Sequence, residues 1–111
     1  MSPANSNPDQ GARQLVAQAT NISTAVTLHA IRGSITTQGA DAVANAENEF
    51  ALTNRFINPG SVVVCTSTYA GGGVAMVAAT KLIAGGCTIT IANPGAASLD
   101  ATMVINFLVL N

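Results

Sequence analysis

The sequence predicts an all-β fold: an antiparallel β-sandwich of jelly-roll-like kind with about seven strands, preceded by a short extended or partly helical N-terminal arm. Three observations predict it. Val, Ile and Thr supply 30 of the 111 residues, and branched side chains pack well on a pleated sheet while losing rotamer freedom in helices. Short apolar runs recur at near-regular spacing, separated by Gly, Asn and Pro pairs that set turn geometries. Several runs alternate apolar and polar, as a strand with one face on a core should.

Residues 1–22 form the expected arm and residues 23–111 the sandwich domain. MSPANSNPDQG has two prolines and no periodic apolar pattern, which is the composition of a flexible terminus. In GARQLVAQAT, Leu15, Val16 and Ala19 fit either a short helix or an extended segment docking on a partner. The expectation is an arm that becomes ordered in an assembly, with Arg13, Leu15 and Val16 as its contact residues.

From Thr24 onward the expected strands are 24–30, 34–38, 47–54, 61–68, 74–83, 87–92 and 101–110. In CTITIA, Cys87, Ile89 and Ile91 share one face while Thr88 and Thr90 share the other. In ENEFALTN, Phe50 and Leu52 oppose Glu49, Ala51 and Thr53 in the same way. Two runs break this pattern.

SVVVC is apolar on both faces, and so is the closing MVINFLVLN. Met103, Ile105, Phe107 and Val109 form one row, and Val104, Asn106, Leu108 and Leu110 the other. Something beyond the domain's own core is expected to cover the second row. Complete burial of Val104, Leu108 and Leu110 would contribute roughly 1.5–3 kcal/mol each, so about 5–9 kcal/mol rides on that face. These three, with Asn106 and with Val62 or Val63 as neighbours, are the candidate self-association interface. Asn106 would find its partners in symmetry copies or nearby backbone, or sit in solvent at the rim.

Charged residues make up 8% of the chain and hydrophobic ones 49%, so charges are too few to cover a free surface well. Arg13, Arg32, Arg55 and Lys81 are scattered singly, with no basic patch of the kind that binds nucleic acid or anionic lipid by counterion release. No apolar run reaches the ~18 residues of a membrane-spanning helix. MSPANSNPDQ lacks the basic and apolar regions of a signal peptide, so cytosolic synthesis is expected. In that compartment the Asn21-Ile22-Ser23 sequon carries no weight, and Cys65 and Cys87, both in apolar β context, read as free buried thiols.

Catalytic constellations are not evident. The lone histidine, His29, sits between Leu28 and Ala30 in a strand-like run, without the nucleophile and orienting group that a base requires. With Cys65 and Cys87 it forms no close ligand pair for zinc. Asp9, Asp41, Glu47, Glu49 and Asp100 show no spacing that pairs two of them around a glycosidic bond. YAGGGVAM lacks the Lys-Ser/Thr of a phosphate-binding loop and reads as a flexible hairpin tip. No enzyme activity, cofactor, metal or small-molecule substrate is expected.

The segments RGSITTQGADAVANAENEFALTN, SVVVCTSTYAGGG, LIAGGCTITIANPGAASLDAT and MVINFLVLN resemble, in order and spacing, a β-sandwich module of tailed-bacteriophage virions. That module occurs in capsid decoration (cement) proteins and in head-fibre or tail-fibre proteins. The resemblance covers about four-fifths of the chain and rests on apolar and turn patterns. It implies a homotrimer on the capsid exterior, assembled in the host bacterial cytoplasm, that clamps the major capsid protein shell. The alternative it implies is a receptor-binding fibre tip or lectin-like module using loop side chains such as Tyr69, Asn58 and Asp41.

Overall fold

The computed structural model describes residues 13–111, and its elements are all strands. In chain order they are β1 Gln14–Ala17, β2 Val26–Thr27, β3 Arg32–Thr36, β4 Glu47–Thr53, β5 Val62–Tyr69, β6 Met76–Ile83, β7 Gly86–Ala92 and β8 Met103–Leu110. They build two four-stranded sheets, β1-β3-β8-β5 and β2-β4-β7-β6. Each of the seven expected runs overlaps a strand, although only two residues of the 24–30 run pair as β2.

Two features depart from the expectation. The sheets are mixed: β1 pairs with β3 and β2 with β4 in parallel, while all other pairings are antiparallel. Parallel neighbours cannot be joined by a tight turn, and here the chain visits the opposite sheet between them. The second departure is β1 itself. The stretch expected as an arm, helical or extended, is in part a strand of the first sheet, with Leu15 opposite Ser34 and Val16 opposite Ile35. Gln18, 2% exposed, locks it there: its Nε2 donates to the carbonyls of Ile22 and Thr24, both at 2.9 Å, and its Oε1 accepts from Gln38 N–H. The expected flexible terminus at residues 1–12 lies outside the described residues.

The antiparallel pairs nest. β3 pairs with β8 and β4 with β7, and between these nested pairs the chain passes from β5 in one sheet to β6 in the other. The triple glycine therefore spans the sheets rather than tipping a hairpin, and it is a packed element. Asp100 Oδ1 accepts from Gly72 N–H at 2.7 Å, and the Tyr69 hydroxyl donates to the Gly72 carbonyl. A Cβ on Gly71 would fall 2.5 Å from the Tyr69 hydroxyl and 2.5 Å from Asp100 Oδ1. Gly73, at φ 78°, adopts a backbone that other residues reach with strain.

The inner rows of the sheets supply the core: Phe50 and Leu52 on β4, Cys87, Ile89 and Ile91 on β7, Met103, Ile105, Phe107 and Val109 on β8. Gly33 on β3 leaves room for the Phe107 ring, which would lie 2.6 Å from a Cβ there. Two buried amides hold the loops at opposite ends. Asn54 binds both backbone groups of Ala30 and the Phe56 N–H. Asn93 donates to the carbonyls of Ala42 and Ala97 and accepts from Gly95 N–H. Together they satisfy backbone groups that no ladder reaches.

Candidate functional site

The outward face of the β1-β3-β8-β5 sheet is the candidate. Register and alternation place Val104, Asn106, Leu108 and Leu110 of β8 on it, beside Thr68, Thr66, Val64 and Val62 of β5. Val62 with Leu110, and Val64 with Leu108, make a block of four aliphatic side chains that are 56%, 48%, 46% and 39% exposed. Leu15 of β1 lies on the same face and is 68% exposed. In the described chain, then, the second row of β8 is left partly open to solvent, while the first is buried to within 2%.

Not every sequence-derived candidate belongs to this surface. Val63 points inward and packs on the core, so the alternation places Val62 and Val64, and not Val63, on the outward face. Val16 likewise packs against the core, so Arg13 and Leu15 are what β1 and its approach present outward. Val104 and Asn106 are half-buried. Asn106 has a partner within the chain: its Oδ1 accepts from the Ser34 hydroxyl at 2.6 Å.

Next to this bonded pair the face holds an open depression of about 410 Å³, lined by Arg13, Arg32, Val64, Thr66, Asn106 and Leu108, with Phe107 beneath. Two of the chain's four cations converge on it. The sequence showed them as isolated residues; only the parallel pairing of β1 with β3, which sets Gln14 opposite Gly33, brings Arg13 alongside Arg32. Arg32 was missed for this reason, whereas Val64 and Thr66 were missed because the phase of β5 is set by its pairing with β8. Ser61 would have misled: a polar residue reads as outward, yet Ser61 is buried and bonded to Asn111, on the inward side with Val63.

Comparison with protein-family models, curated proteins and solved structures gave no match.

The remaining reactive side chains are bound into structural roles. His29 Nδ1 accepts the Arg55 N–H at 3.0 Å, which ties the β2–β3 connection to the end of β4. The cysteines are free; burial pushes both thiols up to about 11, with the neighbouring Cys87 adding to the effect at Cys65. Thiols so shifted are almost wholly protonated near neutral pH and are poor nucleophiles. No group of three or more His, Cys, Asp or Glu that could hold a metal occurs among the described residues. No helix of the described residues is long and apolar enough to cross a membrane.

The loop residues of a sugar- or receptor-binding site do not converge. Tyr69 stands opposite Met103 at one end of the first sheet, and its hydroxyl is held by Gly72 and Asp100. Asp41 is bonded to Asn48. Asn58 is at the other end, where it turns the chain through Gly60 N–H and meets Asn111. The eight-residue length of β5, about 23 Å from first to last Cα, separates Asn58 from Tyr69.

Proposed function

We propose that this protein is a structural, non-catalytic subunit of a bacteriophage virion, a capsid decoration (cement) protein. It forms a homotrimer on the head exterior and braces the major capsid protein shell. The observation that carries the proposal is the exposed aliphatic block of Val62, Val64, Leu108 and Leu110, set on the back of a sheet whose other face is fully packed. A sheet with a packed inner face and an apolar outer face is suited to adhesion. Its self-complementary partners would be other copies, and the shell would meet what the trimer leaves exposed. The nested pairing of β3 with β8 and β4 with β7 supports a jelly-roll reading of the sandwich, and the segment resemblance supports the placement on a phage head.

In this role the work is thermodynamic. A subunit that binds the expanded shell and not its precursor adds to the stability of the expanded state by mass action. The test has two parts. Light scattering of the purified chain should give three times the monomer mass. Co-sedimentation with phage heads should show binding to expanded shells and little to unexpanded ones. Equal binding to both, or binding to neither, would remove the role.

A further inference from the structure

β5 and β6 are the outermost strands of their sheets on the same side of the sandwich, and they lie next to each other without sharing a ladder. The backbone of Ala79 meets the Cys65 thiol across the gap between them. This rim is unlike the rest of the fold. The inward apolar side chains of β4, β7 and β8 are buried, whereas those of β5 and β6 stay half-buried, Val63, Cys65, Val77, Ala79 and Leu82 among them. The outward rows are more open still. Met76 and Ile83 of β6, 60% and 61% exposed, stand on one flank of the rim, and Val62 and Val64 of β5 on the other. Both strands therefore leave apolar side chains uncovered on both of their faces, and a core row open on one side of a sandwich is what a neighbour would complete.

The chemistry of the rim selects the neighbour. Lys81 is the only charged residue in either strand, and Glu49 stands 4.0 Å from it. A surface so nearly neutral gives no hold to a charged partner, and it carries almost nothing that repels its own copies. The arginines are set back from it: Arg32 on β3 is two strands from β5, about 10 Å, and β1 is one strand further.

We propose that copies of this chain assemble rim to rim around a symmetry axis, the outward row of β5 in one copy against the outward row of β6 in the next, with the half-buried seam between the two strands closed at the axis. The inference rests on the reading of the aliphatic block as an assembly surface and adds β6 as the other half of the contact. Opposite faces of a sandwich are parallel and would stack without end. Two rows that flank one rim instead address neighbours on either side of it, so a ring of three closes when successive copies turn by 120°. Strands of eight residues are about 26 Å long, and the way round the rim from β8 to β6 is about 24 Å, so each copy offers roughly 600 Å². That is the lower end of the ~600–1,000 Å² per partner of a specific interface.

The experiment is sedimentation velocity of the full chain across a dilution series, with circular dichroism confirming the fold. Met76→Thr/Ile83→Thr leaves the β1-β3-β8-β5 sheet untouched and should weaken association by roughly tenfold or more. Should that variant unfold, Met76→Gln alone takes its place, with the same direction expected. A second reading comes from the wild-type chain at one fixed pH, which holds the thiolate fraction constant. Excess N-ethylmaleimide, with mass spectrometry locating the modified residue, should label Cys65 more slowly in the associated chain than in the diluted one. Variants that keep wild-type mass at every concentration, or Cys65 labelling that ignores dilution, would overturn the rim geometry. Should Leu108→Glu dissociate the assembly while the β6 variants do not, the outward face of β8 and β5 still assembles and the rim contact alone fails. A wild-type chain that is monomeric throughout removes both.

Discussion

Replacing Val62, Val64, Leu108 and Leu110 together with threonine strips the aliphatic block without entering the core. Complete burial of a Val or Leu side chain contributes about 1.5–3 kcal/mol. These four are already 44–61% covered within the chain, being 56%, 46%, 39% and 48% exposed. Scaling by the exposed fraction leaves about 0.6–1.7 kcal/mol for each, and about 3–6 kcal/mol for the set. Threonine favours strands and keeps one methyl group, so the loss falls at the lower end of that range. Roughly 3 kcal/mol corresponds to an increase in dissociation constant of about 100-fold. Monomer stability should change by less than about 0.5 kcal/mol per site, since surface substitutions away from caps and buried networks have small effects. Light scattering over a hundredfold range of concentration reads the association, and urea unfolding of the dissociated chain reads the stability. A quadruple variant that keeps wild-type mass at every concentration would refute the assignment of this face. So would one that dissociates only because it unfolds.

Asn54→Ala removes the partner of Ala30 N–H, Ala30 C=O and Phe56 N–H from a site with no solvent exposure. It should lower the unfolding free energy by about 3 kcal/mol, measured as a shift of the urea midpoint at unchanged slope. Gly71→Ala should cost about 1–3 kcal/mol through its clash with Tyr69 and Asp100. Gly39→Ala, with nothing within 4 Å of the new methyl group, should be neutral or stabilising by up to about 1 kcal/mol on the same urea curves. The thiols set an alkaline limit. Folding raises both from 9.0 to about 11, so between these values the unfolded chain loses protons that the folded chain keeps. Stability must fall as pH rises from about 9 to about 11. A Cys65→Ala/Cys87→Ala variant whose urea midpoint falls as steeply over that window would refute the attribution.

Much of the sandwich could be read from the sequence because its strands carry their own phase. In CTITIA the threonines mark the outer side and the isoleucines the inner, and β7 has that arrangement, with Ile89 and Ile91 fully buried. SVVVC carried no such mark. Three valines in succession fit either phase, and the choice is made by Ser61 and by pairing with β8, neither of which is a local property. β1 was ambiguous for a related reason: QLVA is too short to show a period, and its place is fixed by the remote partners Ser34 and Ile35 and by the bonds of Gln18. The buried amides were equally illegible. Asn54 and Asn93 each stand at a loop boundary where asparagine commonly marks a turn, and nothing local separates a turn residue from one that holds two loops together.

Asn106 shows how a non-local contact alters the functional reading. A buried amide in an apolar row first suggests that symmetry copies supply its partners, which would place the row on a three-fold axis. Its oxygen is instead held by Ser34 of β3, and Ser34 is itself buried. The requirement of its oxygen is met inside the chain, so that oxygen gives no reason to put β8 on an axis. What the face leaves open is the aliphatic block of Val62, Val64, Leu108 and Leu110, 39–56% exposed. Salt screens charges and leaves apolar contact in place. Association that rests on that block should therefore persist as ionic strength rises, and sedimentation velocity showing dissociation in about 1 M salt would refute the proposed role of the block.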